Sequence, residues 1–144
     1  MRFVPALTAA VLLTACATPR EPLPSPPGPI ADSGNDCAVI AAVAKEHFRF
    51  GPDNPPPPIR FMGDYAPRCD WSRYGLAFTP YDDHATGRDA TRWVSFERPR
   101  YDGQGALIKV GIMHAPLAGQ GSECRVRSGF AGWTATECHA TWVS

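Results

Sequence analysis

Apolar residues recur at helical spacing in the stretch CAVIAAVAKEHFRF, which directly follows Asp36. Apolar side chains recur at about every third or fourth position, and this spacing places these side chains on one face of a helix. Ser33 and Asp36 favour a helix start, whereas Gly51 and Pro52 favour its end. The face consists of Cys37, Ile40, Ala41, Ala44 and Phe48. The pattern predicts a helix over residues 36–49.

Alternating patterns, which are typical of strands, dominate the last third of the chain. In RWVSFERP, Val94 and Phe96 lie on one side of the predicted strand. In ALIKVGIMHA, the apolar positions from Ile108 to Ile112 lie opposite Lys109. The glycine-rich stretches YDGQG and PLAGQG predict connections, and two further strands are predicted before the C-terminus. Earlier in the chain, IRFMG predicts one short strand.

The order of these elements defines a fold class. Short connections between successive strands favour antiparallel neighbours. The chain is therefore predicted to be α+β, with an N-terminal helix packed on a mainly antiparallel sheet, the C-terminal meander, formed mostly by residues 91–143. In element order alone, it resembles cystatin-like and nuclear-transport-factor-2-like folds, in which a helix packs across a curved sheet.

The stretch GSECRVRSGFAGWTATECHATW predicts a hairpin whose register follows from its side chains. If the two strands fold about Ala131, thiols face each other and opposite charges face each other. The facing pairs are Cys124 with Cys138, Arg125 with Glu137, Glu123 with His139, and Val126 with Thr136. Opposed Cβ atoms lie about 4.5 to 5.5 Å apart, so a disulfide requires the closer, non-hydrogen-bonded type of pair. The predicted inner face comprises Cys124, Val126, Cys138, Ala140 and Trp142.

The chain contains five cysteines, an odd number. Cys16 ends the N-terminal signal described below and is set aside, so with Cys124 and Cys138 paired in the hairpin, Cys37 and Cys69 form a second disulfide by elimination. Both bonds require an oxidising compartment. No metal site is predicted, because no two cysteines have the close C-x-x-C spacing of zinc ligands. Cys16 is left without a partner.

The first residues have the composition of an export signal. Arg2 is followed by FVPALTAAVLL, an uncharged apolar run that is shorter than the roughly 20 residues of a membrane-spanning helix. The next four residues, LTAC, end at Cys16 and resemble the bacterial lipobox, the recognition site of lipoprotein signal peptidase. The resemblance covers residues 1–16.

This resemblance implies a lipid anchor. In lipoproteins of this kind, the cysteine thiol receives a diacylglycerol, the chain is cut before the cysteine, and the new amine is acylated with a fatty acid such as palmitate. Cys16 would then hold the protein to membrane lipid. Ala17 stands where many inner-membrane lipoproteins carry Asp, which implies the outer membrane, with the protein facing the periplasm. The alternative is an ordinary secretory signal cut near Ala15, which would leave Cys16 as a free thiol.

The chain is therefore expected to have three parts. Residues 1–15 are the signal peptide, residues 16–35 are the lipidated cysteine and a proline-rich tether, and residues 36–144 are one domain. The formal net charge is zero, so no basic surface suggests a nucleic-acid partner.

The candidate chemistry is concentrated in the irregular middle of the chain. His84 stands beside Asp82 and Asp83, a grouping that could hold a cation or act as acid and base, although such residues are also typical of exposed turns. The aromatic residues of this segment could line a cleft or belong to the core. The candidate binding residues are Trp71, Tyr74, Tyr81 and His84.

These features predict a non-catalytic binding or structural role in the cell envelope, with an envelope protein or a peptidoglycan component as partner. No cofactor is predicted, since the chain has no G-x-S-x-G motif and no glycine-rich loop placed before a helix. The alternative is a small hydrolase or cation-dependent enzyme that uses Asp82, Asp83 and His84. That alternative requires the three side chains to point into a deep pocket.

Overall fold

One helix and a six-stranded sheet form the part of the chain that the computed structural model describes, residues 33–144. The elements are α1 (Ser33–Glu46), β1 (Ile59–Phe61), β2 (Trp93–Phe96), β3 (Arg100–Asp102), β4 (Gly105–Ala115), β5 (Ala118–Gly129) and β6 (Gly132–Val143). The predicted α+β class is confirmed, since the sheet is mainly antiparallel. The predicted signal peptide, Cys16 and the tether up to residue 32 lie outside the described residues.

No helix in residues 33–144 is long and apolar enough to cross a membrane.

Helix α1 ends three residues before the predicted position. Arg49 adopts a left-handed conformation with φ 60°, which turns the chain before Gly51 is reached. The Phe50 N–H then donates to the Ala44 carbonyl at 2.9 Å. Almost every residue from Cys37 to Ala44 is buried, so α1 is covered on the side facing the sheet and also on the opposite side.

The strands follow the order β1-β2-β4-β5-β6, with β3 paired to the beginning of β4. Strand β1 runs parallel to β2, and the other neighbours are antiparallel. Strand β3 includes Tyr101 and Asp102, which had been predicted as part of a loop. The Asp102 carboxylate accepts the Gln104 N–H at 2.9 Å, and this contact shortens the turn so that the preceding residues pair with β4.

The hairpin register is confirmed around the cysteines, where Cys124 faces Cys138 and Arg125 faces Glu137. The prediction that Val126 faces Thr136 is wrong. A bulge at that point brings Ala135 opposite Val126. Both predicted disulfides are present, and in the hairpin the Cα atoms lie 4.0 Å apart, as expected for a non-hydrogen-bonded pair.

The second disulfide joins Cys37 of α1 to Cys69, with the two Cα atoms 5.6 Å apart. Cys69 lies in the irregular segment between β1 and β2, so the bond attaches this segment to the start of the helix. Phe48, Trp71, Tyr74 and Phe78 pack against the same core that α1 and the sheet form. The irregular segment therefore packs against α1 and against the core that α1 and the sheet share.

The outer face of the sheet, opposite α1, carries a tryptophan that had been predicted on the inner face. A second bulge between Ala140 and Trp142 places Trp142 opposite Gly121 on the outer face. Its indole lies over Gly111, Gly119 and Gly121. Gly119 and Gly121 were predicted in a connection but belong to β5. Their role there is to leave space for this indole, because a Cβ at either position would meet it.

Candidate functional site

A groove of about 660 Å³ lies between β1 and the irregular segment that follows it. Five aromatic side chains contribute to its walls, and two charged side chains also line it. The aromatic residues are Phe61, Tyr65, Trp71, Phe78 and Tyr81. The charged residues are Arg60 and Asp83. A concave surface that combines apolar side chains with placed polar groups is a form that ligand sites take.

The backbone of β1 forms one wall of the groove. The Ile59 N–H donates to the Thr79 carbonyl at 2.8 Å, and the Ile59 carbonyl accepts the Tyr81 N–H at 2.9 Å. Residues 79–81 therefore pair with β1 at one position on the side away from β2. Because backbone groups along a strand alternate in direction, the N–H and carbonyl of Phe61 point to this same side. The groove thus contains a short length of sheet edge.

The aromatic side chains pack edge to face. The rings of Trp71 and Phe78 are 5.1 Å apart, and those of Phe61 and Tyr65 are 5.5 Å apart. Trp71 begins a short 3-10 helix, Trp71–Tyr74, which is followed by Gly75 with φ 69°. Glycine adopts this left-handed conformation without strain, so the chain can turn back and place Phe78 against Trp71. The groove walls are therefore held by ring packing and by the nearby Cys37–Cys69 bond.

Asp36 connects the groove to α1 and β3. The Tyr65 hydroxyl donates to its carboxylate at 2.8 Å, and the Tyr101 hydroxyl donates to the other carboxylate oxygen at 2.5 Å. Burial, reinforced by the hydrogen bond to Asp36, raises the pKa of the Tyr65 and Tyr101 phenols above the usual value. Both tyrosines therefore act as neutral donors. Tyr65, which is buried and lines the groove, is fixed in orientation by this contact.

The sequence had indicated only a helix-starting role for Asp36. Its two tyrosine partners are 29 and 65 residues away along the chain, so no local pattern could reveal them.

Arg60 dominates the charged rim. Its guanidinium carbon lies 5.3 Å from the centre of the Tyr81 ring and 5.9 Å from that of Trp93. A guanidinium nitrogen also lies 3.9 Å from the Asp83 carboxylate. Both charged side chains are largely exposed, so the ion pair itself contributes little to stability. The stacked guanidinium remains available to a ligand at the groove entrance.

Of the four residues proposed from sequence for binding, Trp71 and Tyr81 line the groove. Tyr74 packs against the core, with its ring 6.4 Å from Trp71. His84 lies in an exposed turn outside the groove lining. The structure therefore brings together two of the four, and it adds Tyr65 and the backbone of β1.

The Asp82, Asp83 and His84 side chains face solvent. The Asp82 carboxylate accepts the backbone N–H of His84 at 2.9 Å, which is the contact of an Asx turn. Only Asp83 reaches the groove, and it does so at the rim. This arrangement lacks the inward-pointing geometry that the enzymatic alternative requires.

Comparison with protein-family models, curated proteins and solved structures finds no match to this chain. The chemistry of the groove is therefore the basis for inferring a function.

Proposed function

We propose that the protein is a lipid-anchored envelope protein that binds an extended peptide segment of a partner in the aromatic groove. The anchor is supported by the sequence around Cys16, which resembles a lipobox. Two or three acyl chains exceed the single chain that gives only marginal membrane binding, so such an anchor would hold the domain at the membrane. We propose the outer membrane as its location, because Ala17 stands where many inner-membrane lipoproteins carry Asp.

The observation that carries the binding role is the combination of a sheet edge with an aromatic wall. At Phe61, the backbone N–H and carbonyl can pair with an added strand. Trp71 and Phe78, which are only partly buried, offer apolar surfaces beside that edge. In strand addition, main-chain hydrogen bonds supply affinity, and pockets for alternate side chains supply specificity.

This geometry defines the chemistry of the ligand. An extended peptide would place apolar or proline side chains on the aromatic wall at alternate positions. Arg60 at the rim favours an acidic residue in the ligand, or its terminal carboxylate, because a guanidinium binds carboxylates with two parallel hydrogen bonds. Of the two partners expected from the sequence, an envelope protein or a peptidoglycan component, we therefore propose a protein segment as the ligand of this groove.

The binding proposal can be tested with a displayed library of random peptides, using the full chain with Cys16→Ser so that it is free of lipid. We expect enrichment of peptides with alternating apolar or aromatic residues. Met62 lines the groove and is 48% exposed, so Met62→Asp should weaken binding by about tenfold or more. The control is Leu117→Asp, because Leu117 is 85% exposed and lies outside the groove.

Enriched peptides that bind Met62→Asp as tightly as the parent chain would contradict the groove assignment, and so would a library that yields no enriched sequence. The anchor is tested separately by mass spectrometry of the protein from membranes. An acylated Cys16 as the first residue is expected, and a mature N-terminus at another residue would contradict it.

A further inference from the structure

The end of α1 places a histidine beside the hairpin disulfide. The metal-binding atoms of His47, Cys124 and Cys138 all lie within 4.8 Å of one another. One imidazole and two thiolates form a ligand set that zinc commonly uses. In the folded, oxidised protein the two sulfurs are bonded to each other, so neither is a thiolate.

We infer that reduction of the Cys124–Cys138 bond converts this cluster into a binding site for one zinc ion. This inference is independent of the peptide groove. A dithiol partner supplies two electrons and two protons to the disulfide and leaves as its own cyclic disulfide. Zn²⁺ then displaces the two thiol protons and binds both thiolates and the neutral imidazole of His47. The fourth coordination position remains open to water.

The movement that this conversion requires is small. Reduction breaks the bond between the two sulfurs. They would separate to roughly 3.7 Å, the spacing of two thiolates that each lie about 2.3 Å from a tetrahedral zinc. Rotation of the side chains can supply this change, because the Cα atoms already face each other at 4.0 Å. The three ligands are carried by the end of α1 and by two paired strands, so the backbone of the site is preformed.

A hollow of about 260 Å³ gives access to the cluster. It is lined by His47, by Cys138 and by Glu46, whose carboxylate accepts the Ala135 N–H at 2.6 Å. The Cys138 sulfur is therefore the one that an incoming thiolate can attack, since Cys124 is fully buried. The Glu46 carboxylate beside the hollow favours the arrival of a cation.

The other disulfide lacks this arrangement. Within the part of the chain that the structure describes, the groups of potential metal ligands include neither Cys37 nor Cys69. Zinc binding after reduction should therefore depend on the hairpin cysteines. This difference makes the inference specific to one of the two bonds.

The test uses the full chain with Cys16→Ser, reduced by a water-soluble phosphine, which takes oxygen from water and leaves two thiols per bond. Co²⁺ is titrated first, because thiolate coordination gives an absorption band near the ultraviolet, and Zn²⁺ is then added to displace it. We expect one ion per chain, and no band before reduction. His47→Ala should weaken binding by about tenfold or more. His139→Ala, an exposed histidine on the same hairpin, should leave binding within about twofold of the parent chain.

The double variant Cys124→Ser with Cys138→Ser should lose the band. Retention of the band in that variant would assign binding to Cys37 and Cys69 and would overturn the inference. Equal affinity in His47→Ala, or no band in a chain whose thiols are fully titratable, would overturn it as well. If reduction unfolds the protein, Zn²⁺ should restore its circular dichroism spectrum, and failure to restore it counts against the site.

Discussion

The contact between Trp142 and Gly121 predicts that Gly121→Ala destabilises the parent protein but stabilises a variant that lacks the tryptophan side chain. Trp142 is 41% exposed, so about three-fifths of its surface is covered. Trp142→Ala would remove roughly 120 Å² of buried apolar surface, given that a tryptophan buries at most about 250 Å². At about 25 cal/mol per Å², the expected loss in unfolding free energy is about 3 kcal/mol. Typical domains have only about 5 to 15 kcal/mol in total.

Gly121→Ala should be costly for the same reason. A Cβ at this position would overlap the indole, and the three nearest atoms that it would meet all belong to Trp142. The indole must leave its place, so most of the about 3 kcal/mol is lost. Alanine in a strand is itself better than glycine by about 0.5 to 1 kcal/mol. The net destabilisation should be about 2 kcal/mol.

In the Trp142→Ala background, the same glycine substitution should stabilise the protein. The obstacle is gone, and only the strand preference of about 0.5 to 1 kcal/mol remains. The coupling energy between the two positions should therefore be about 3 kcal/mol, the upper end of values for residues in direct contact. Urea denaturation of the four proteins, followed by circular dichroism, measures this coupling.

Gly129→Ala serves as a matched control, because a Cβ there would meet only the Gly132 carbonyl at 3.9 Å. It should not destabilise the protein, and the strand preference of alanine should stabilise it by at most about 0.5 to 1 kcal/mol. If Gly121→Ala destabilises equally with and without the tryptophan, Trp142 does not lie over Gly121, and the bulge that places it there is wrong.

Two further predictions concern the hairpin and the neighbouring helix end. Cys138→Ser should lower the free energy of unfolding by about 3 kcal/mol, because the bond to Cys124 spans a sequence separation of 14. Glu137→Ala should lower it by less than about 1 kcal/mol, because Glu137 is exposed. Thermal or urea unfolding of both variants checks this ranking, and equal losses would contradict it. Burial lowers the pKa of His47 below 6.5, so the unfolded chain binds more protons than the folded one and stability should decline as the pH falls below 6.5. Denaturation measured between pH 5 and 7 should show that the stability of His47→Gln falls less with pH than that of the parent chain. An equal fall in both proteins would contradict this reasoning.

The sequence was most informative where one side chain constrains another nearby. The facing thiols in the C-terminal hairpin defined the pairing of Cys124 with Cys138, and elimination then gave the second bond. The charges were less informative. Arg125 does face Glu137 as predicted, but its guanidinium donates to Asp102 at 2.6 Å. Asp102 belongs to β3, a strand that had been read as part of a loop, so this partner could not be foreseen.

Features that depend on distant residues could not be predicted in this way. A bulge adds one residue to a strand and reverses the faces of all residues after it, which is why Trp142 was assigned to the inner face. The glycines of β5 were read as turn residues because their conformational freedom and their small size give the same sequence signal. The groove was anticipated only as a cluster of aromatic residues, since its sheet edge depends on the pairing of Ile59 with residues 79–81.

The bond between Cys37 and Cys69 determines how the domain responds to mechanical load. A pull applied to the chain ahead of Cys37 can unwind only the first turn of α1 before it reaches a covalent link. From Cys37 the tension divides between the helix and the segment that carries Cys69, so both must yield together. A domain tethered through its N-terminal side would therefore resist peeling from that side without relying on the hydrogen bonds of the helix alone.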